Sequence, residues 1–123
     1  MFNLFRSATT GPRVQRLAGP EAVRLAAEGA LTLVDVRDIA ELRSTGRAAG
    51  ALHVPLMRLS AKADPRHPEH LPALDPEKPV ALYCASGARS QMAAQMLLQL
   101  GYRTVYNLGG LHDWRAAGGQ LAA

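Results

Sequence analysis

Apolar residues fall into two kinds of segment along the chain. Short and almost continuous apolar runs predict β-strands, and the most apolar of them predict strands covered on both faces. Segments in which apolar residues recur every three or four positions predict helices. The predicted strands cover residues 31–36, 52–54, 79–83 and 104–106; the predicted helices cover 20–28, 38–44, 56–61 and 90–100, with a last short helix ending at Trp114.

Strands and helices alternate along the whole pattern. This alternation is typical of α/β domains, in which crossover helices connect parallel strands. The helix over 90–100 is the clearest, and Gly101 follows it as a stop signal. The helix over 38–44 has Asp38 as its N-cap and Glu41 three residues later, which is the capping-box spacing. The sequence therefore predicts an α/β domain with a mostly parallel central sheet.

Two segments of the chain lie outside this alternation. Residues 62–78 form a proline-rich stretch, which predicts a stiff irregular loop. Residues 1–16 carry arginines, hydroxyl residues and no acidic residue, which superficially resembles a short transit peptide. A flexible leader is the favoured reading because chain termini are commonly loose. We therefore expect a leader at 1–16 and a single domain at 17–123.

Composition narrows the function classes. A chain of 123 residues with 48% apolar and 20% charged residues is typical of one globular domain. The net charge of +4 comes from scattered arginines, which favours small anionic ligands over a nucleic acid. No apolar stretch is long enough to span a membrane, and the N-terminus lacks the apolar core of a secretory signal. We therefore expect a cytoplasmic protein without nucleic-acid or membrane partners.

Cys84 is the only cysteine of the chain. It excludes an intramolecular disulfide, a C-x-x-C redox pair and any multi-cysteine metal site. It lies where an apolar strand ends and the clearest helix is about to begin, which is where α/β sheets bind ligands. Backbone N–H groups of a tight loop and of a helix start stabilise negative charge, so we expect a thiolate with a lowered pKa. The alternative is a small buried hydrophobe at a strand end.

The spacing after Cys84 separates two chemistries. A cysteine phosphatase loop has five residues between its cysteine and its arginine, whereas four residues separate Cys84 from Arg89. The shorter loop favours sulfur over phosphate as the group that is bound. Gly87 allows the loop to turn, and Ser90 supplies a hydroxyl for which helix capping is the favoured role.

The residues Cys84, Gly87 and Arg89 resemble the C-x-x-G-x-R loop of the rhodanese family of sulfurtransferases. Three further segments resemble motifs of that family in the same order along the chain. They are Asp35-Val-Arg37 with Glu41, Gly50-Ala51 with Pro55, and Leu108-Gly-Gly110 with Trp114. Arg47 stands where the family usually has a histidine, a difference that bears on the packing of this turn and on substrate access.

The resemblance implies a rhodanese-like three-layer α/β/α fold with about five strands, and a two-step sulfur transfer. The Cys84 thiolate would take the outer sulfur of thiosulfate or a related anionic donor, and a thiol, cyanide or a protein thiol would accept it from the persulfide. Asp35 and Arg37 would be supporting residues at a neighbouring strand end. The predicted active-site loop is Ala85, Ser86, Gly87, Ala88, Arg89 and Ser90.

Several alternatives remain open at this point. Arg89 would orient the anionic donor, or it would pair with a nearby carboxylate. The domain could also be a non-catalytic binding or redox-sensing module. Among the histidines, only His67 and His70, with Glu69, have a spacing that suggests a metal site, and a solvated loop is the favoured reading there. We expect neither a metal nor a cofactor.

Overall fold

The computed structural model describes residues 12–123. The central sheet contains five parallel strands in the order β1-β6-β5-β2-β4, and a separate antiparallel pair joins β3 to β7. The strands are β1 Gln15–Arg16, β2 Thr32–Asp35, β3 Arg47–Ala48, β4 Leu52–His53, β5 Val80–Cys84, β6 Val105–Gly110 and β7 Leu121–Ala122. The helices are α1 Gly19–Ala27, α2 Ile39–Thr45, a 3₁₀ turn Leu56–Arg58, α3 Leu59–Ala63, α4 Ala88–Gln99 and α5 Leu111–Ala116.

The sheet separates two apolar cores, and β5 contributes to both. All five residues of β5 are buried, and successive side chains of a strand point to opposite faces. Val80, Leu82 and Cys84 pack in the core that contains residues of α3 and α4. Ala81 and Tyr83 pack in the core that contains residues of α1 and α5. Helices therefore cover both faces, and the predicted three-layer α/β/α fold with a five-stranded parallel sheet is confirmed.

Three of the four two-residue strands are elements that the sequence pattern did not predict. β1, β3 and β7 have two residues each, and two residues are too few to show an alternation of period two. Gln15 and Arg16 were assigned to the leader of residues 1–16, but they pair with Tyr106 and Asn107 at the edge of the sheet. They belong with the domain, and residues 1–11 of the predicted leader lie outside the described residues.

The proline-rich segment between α3 and β5 is irregular, as expected, but it is tied to the core. Leu74 is fully buried, and the Tyr102 hydroxyl donates to the carbonyls of Ala63 and Leu74 at 2.7 and 3.1 Å. Nε2 of His70 lies 2.7 Å from the Leu74 carbonyl oxygen, and Glu69 pairs with Arg58 and Lys62. Each of these polar groups therefore has a structural partner.

The geometry of residues 12–123 bears on metal and membrane binding. No group of three or more histidine, cysteine or acidic side chains is placed to hold a metal ion. None of the helices in this part of the chain is long and apolar enough to cross a membrane.

The strand order decides where a functional site can form. β5 lies in the middle of the sheet, between β2 and β6. In a parallel sheet the carboxyl ends of all strands meet at one edge. Asp35, Cys84 and Gly110, which end β2, β5 and β6, therefore lie at the same edge of the sheet.

Candidate active site

The Cys84 thiol is the centre of the candidate site. It is free, fully buried at the end of β5, and enclosed by the turn that leads into α4. The Gly87 N–H donates to Sγ at 3.0 Å, and the Ser90 hydroxyl oxygen lies 3.4 Å from Sγ. The sulfur thus occupies the position of a capping acceptor at the N-terminus of α4, where helix N–H groups have no partner within the helix.

The turn depends on Gly87. Its φ of +103° lies in the left-handed region, and it is the N-cap of α4. A Cβ at this position would also lie 3.2 Å from the Gly109 Cα. The positive φ folds the chain back over the sulfur, and α4 begins at Ala88, two residues earlier than predicted.

The environment lowers the pKa of the Cys84 thiol. Burial is the largest single influence and raises the pKa, but several hydrogen bonds together exceed it. They come from the Ser90 hydroxyl and from the backbone N–H groups of Ser90, Gly87 and Ser86. These donors stabilise the thiolate, which is the nucleophilic form of cysteine.

Ser90 contacts the sulfur instead of capping the helix through its side chain. Ser90 is the third residue of α4 and is fully buried. Its hydroxyl lies between Cys84 Sγ and Asn107 Oδ1, and it donates to Asn107 Oδ1 at 2.8 Å. The favoured capping role is therefore wrong, because the helix begins before Ser90 and turns this side chain inward. One hydroxyl hydrogen serves two acceptors, so it can turn to the sulfur when Cys84 is ionised.

Asn107 is a site residue that the sequence analysis missed. Its Oδ1 accepts hydrogen bonds from Ser90 and from the Gly109 N–H at 2.9 Å, and its Nδ2 donates to the Gly87 carbonyl at 3.1 Å and to Gln91 at 3.0 Å. One amide thus fastens the turn around Cys84 to β6. The available signal was a polar residue within an otherwise apolar strand segment, Val105–Leu108.

Arg89 is paired with a carboxylate, which is the alternative that the sequence left open. Its two terminal nitrogens donate to the two carboxylate oxygens of Glu41 at 2.7 and 2.9 Å. Glu41 Oε1 also accepts the Asp38 N–H at 3.0 Å, in line with the predicted capping box. Chiefly through the hydrogen bond with Arg89, the pKa of Glu41 falls to about 2 and the pKa of Arg89 rises further above its usual range. The pair joins α4 to α2.

Asp35 and Arg37 form a second pair, which is almost completely buried. Arg37 Nε and its terminal nitrogen Nη2 donate to the Asp35 carboxylate at 3.0 and 2.8 Å. The same guanidinium donates to Thr45 Oγ1 and to the Gly46 carbonyl, both at 2.8 Å. The pair therefore anchors the end of α2 to the end of β2. Its guanidinium carbon lies 5.8 Å from the centre of the Tyr83 ring.

The outer side of the turn is open to solvent. Ala85, Ser86 and Ala88 are exposed. A pocket of about 240 Å³ lies beside them, and its lining is Arg37, Thr45, Ala85, Leu111, His112 and Arg115.

Arg47, which replaces the histidine usual in the family motif, lies in β3. β3 pairs with β7, with Arg47 opposite Ala122. The Ala48 N–H donates to the Tyr83 hydroxyl at 2.9 Å. The turn is thus held by backbone pairing that does not require a histidine side chain.

The geometry supports nucleophilic chemistry at sulfur. A stabilised thiolate is surrounded by backbone and hydroxyl donors that would also stabilise negative charge on an atom bonded to Sγ. The sequence analysis placed Cys84, the turn and Ser90 in one site, and the structure brings these residues together.

Comparisons with known proteins give the same family for most of the domain. The model of the rhodanese-like domain matches residues 20–117. The chain is 35% identical over 97 residues to the thiosulfate sulfurtransferase GlpE of Coxiella burnetii, covering 78% of this chain and 82% of the relative.

Two solved structures are similar across most of the fold. The human single-domain sulfurtransferase TSTD1 has a TM-score of 0.71 and 28% identity, covering 84% of this chain and 96% of that chain. A Rhodopseudomonas palustris protein, described as of unknown function and a possible tyrosine phosphatase, has a TM-score of 0.79 and 30% identity, covering 89% of this chain and 85% of that chain.

Proposed function

The chain belongs to the rhodanese family, and we propose that it is a sulfurtransferase that moves a sulfane sulfur from an anionic donor such as thiosulfate to a thiophilic acceptor through a Cys84 persulfide. The observation that carries the proposal is the set of donors directed at Sγ. Gly87 N–H lies 3.0 Å from the sulfur, and the pKa of the thiol is lowered in spite of its burial. Thiosulfate as a donor is also supported by the name of the Coxiella burnetii relative.

The first step is a displacement at the outer sulfur of the donor. The Cys84 thiolate attacks that sulfur and forms a new S–S bond. The original S–S bond of thiosulfate breaks, and sulfite leaves with the bonding electron pair. The product is a Cys84 persulfide whose negative charge lies on the terminal sulfur, within reach of the N–H groups of the turn.

The second step removes the terminal sulfur from the persulfide. A nucleophilic acceptor attacks that sulfur, the persulfide S–S bond breaks, and Cys84 becomes a thiolate again. Cyanide would give thiocyanate, and a thiolate would give a new persulfide. Because Cys84 is the only cysteine of the chain, no second thiol of the same molecule can discharge the intermediate. The acceptor is therefore a separate molecule, such as cyanide, a small thiol or a protein thiol. We propose that the transfer takes place in the cytoplasm.

A phosphatase is the contrasting activity on this fold. Only four residues separate Cys84 from Arg89, and the Arg89 guanidinium is held by both oxygens of Glu41. The guanidinium has further N–H donors beyond the two that Glu41 accepts, so the distinction rests on the length of the turn. The shorter turn favours sulfur transfer over phosphate hydrolysis.

The test is intact-protein mass spectrometry before and after thiosulfate, followed by cyanide. We expect the wild-type protein to gain the mass of one sulfur atom and to lose it again with formation of thiocyanate. Cys84→Ser, which keeps the size and polarity of the side chain, should gain nothing. An aryl phosphate should not be hydrolysed by either protein.

Two results would contradict the proposal. One is a wild-type protein that is folded, as judged by circular dichroism, but gains no sulfur from thiosulfate, thiosulfonates or low-molecular-weight persulfides. This result would favour a binding or redox-sensing module. The other is efficient aryl phosphate hydrolysis that requires Cys84, which would overturn the argument from the length of the turn.

A further inference from the structure

An open pocket with cationic side chains lies directly beside the Cys84 turn. Its volume is about 240 Å³, and Ala85, His112 and Arg115 contribute to its lining. One water molecule takes up about 30 Å³ in the liquid, so the pocket has room for a solute several times larger than water. A small oxyanion therefore fits.

The wall that carries His112 and Arg115 is fixed against the turn. Cys84 pairs with Gly110 in the sheet, and α5 begins at the next residue, Leu111. A Cβ on Gly110 would overlap the carbonyl oxygen of Ala85. The absence of a side chain at Gly110 thus allows α5 to start in contact with the turn, and it places the first residues of α5 beside the residue that follows the nucleophile.

The arginines around this edge of the sheet differ in their partners. Arg37 is paired with Asp35, and Arg89 is paired with Glu41. Among residues 12–123, none of the ion pairs includes Arg115. The acidic residue nearest to it in sequence, Asp113, accepts the Gly110 N–H at 2.8 Å. Arg115 therefore keeps its charge and its donors for a ligand.

We infer that Arg115, with His112 beside it, binds the oxyanion group of the anionic sulfur donor, such as the sulfonate end of thiosulfate, while the outer sulfur meets Cys84. The inference rests on the proposed function and names the residue that recognises its substrate. The planar guanidinium presents paired N–H donors that match an oxyanion. Arg115 is then a specificity-determining residue, and Arg89 is a positioning residue that holds α4 against α2.

The first arm of the test measures persulfide formation from thiosulfate in a rapid-mixing experiment. Arg115→Gln should lower the second-order rate constant about tenfold, the effect of one charge-assisted interaction. Arg115→Lys should restore part of the rate, and His112→Gln should lower it by less. The matched control is Arg103→Gln. Arg103 is exposed and precedes β6, at the opposite end of the sheet, where it pairs with Glu77; its loss removes the same charge and should leave the rate unchanged.

The second arm does not depend on sulfur transfer. Iodoacetate and iodoacetamide both alkylate a thiolate, but only iodoacetate carries an oxyanion. Arg115→Gln should reduce the ratio of the iodoacetate rate to the iodoacetamide rate about fivefold or more, with the iodoacetamide rate close to that of the wild type. Equal ratios in wild type, Arg115→Gln and Arg103→Gln would overturn the inference.

The two arms separate the inference from the proposed function. If the wild-type protein forms no persulfide but Arg115→Gln lowers the alkylation ratio, the anion pocket stands and the sulfurtransferase proposal fails. If the wild-type protein forms a persulfide at a rate that Arg115→Gln does not change, the proposed function stands and the role of Arg115 is refuted.

Discussion

Two arginine–carboxylate pairs lie at the same edge of the sheet, and they differ in burial and in what they join. Asp35 and Arg37 are two residues apart, and their side chains are 0% and 3% exposed. Glu41 and Arg89 are 48 residues apart, and about a third of each side chain is exposed. The first pair anchors one end of α2 to the strand before it, whereas the second joins the other end of α2 to the helix that follows Cys84.

The difference predicts different consequences for stability and for reactivity. A buried pair that loses one partner leaves an uncompensated charge in a medium of low polarity. A half-exposed pair is screened by water and contributes little to the free energy of unfolding. Arg89, however, lies in the first turn of α4 close to Cys84, so its charge also acts on the thiolate. We therefore expect the buried Asp35–Arg37 pair to determine the free energy of unfolding. The partly exposed Glu41–Arg89 pair, called the exposed pair below, should instead influence the pKa of Cys84.

The largest effect should come from Arg37→Gln. This substitution leaves the Asp35 carboxylate buried without its cation and removes the donors to Thr45 and Gly46. We expect the free energy of unfolding to fall by about 3–5 kcal/mol, as measured by urea denaturation followed by circular dichroism.

The control for this prediction is the double variant Asp35→Asn with Arg37→Gln. Because it removes both charges, it should be destabilised by less than the sum of the two single variants. A loss of stability below about 1 kcal/mol for Arg37→Gln alone would show that the pair behaves like an exposed one.

The second effect concerns Arg89→Gln and Glu41→Gln. Each should lower the free energy of unfolding by only about 0.2–1 kcal/mol. Their effects on the thiolate should have opposite signs, because one variant removes a positive charge from the site and the other removes a negative charge. Arg89→Gln should raise the pKa of Cys84 and slow its reaction with iodoacetamide near neutral pH by a few-fold. Glu41→Gln should leave that rate unchanged or increase it.

The pH dependence of iodoacetamide alkylation provides the measurement. It should move to higher pH for Arg89→Gln and stay in place or move to lower pH for Glu41→Gln. If both variants shift the pKa of Cys84 in the same direction, the exposed pair acts by holding the turn in place and not through its charge.

The comparison also explains how much the sequence could predict. Asp35 and Arg37 are neighbours at the end of an apolar run, so their pairing is a local matter that the sequence motif indicates. The partner of Arg89 depends on how α2 and α4 pack, and for that reason the sequence left a donor anion and a carboxylate as alternatives. The hydrogen bonds of Asn107 to Ser90 and Gly87 also cross between elements.

The fold was more predictable than the site for a related reason. Apolar runs indicated β2 and β5, and helical periodicity indicated α4, each to within two residues, because burial leaves a pattern of apolar positions along the chain. The two-residue strands β1, β3 and β7 have no such pattern, and their pairing is decided by neighbouring elements. Side-chain hydrogen bonds between elements leave no periodic signal either.

The smallest effect is a loss of the Glu41 contribution in acid. The folded-state pKa of Glu41 is about 2, below the ordinary value of 4.5. A carboxyl group whose pKa is lowered on folding stabilises the protein above its unfolded-state pKa, and this contribution is lost as the pH falls towards the folded-state value. The difference in the free energy of unfolding between wild type and Glu41→Gln should therefore be constant near neutral pH and should shrink between about pH 4.5 and pH 2. Urea denaturation of both proteins across this range measures the difference. If the difference does not change with pH, the pairing of Glu41 with Arg89 does not depend on the carboxylate charge, and the contrast between the two pairs would then rest on burial alone.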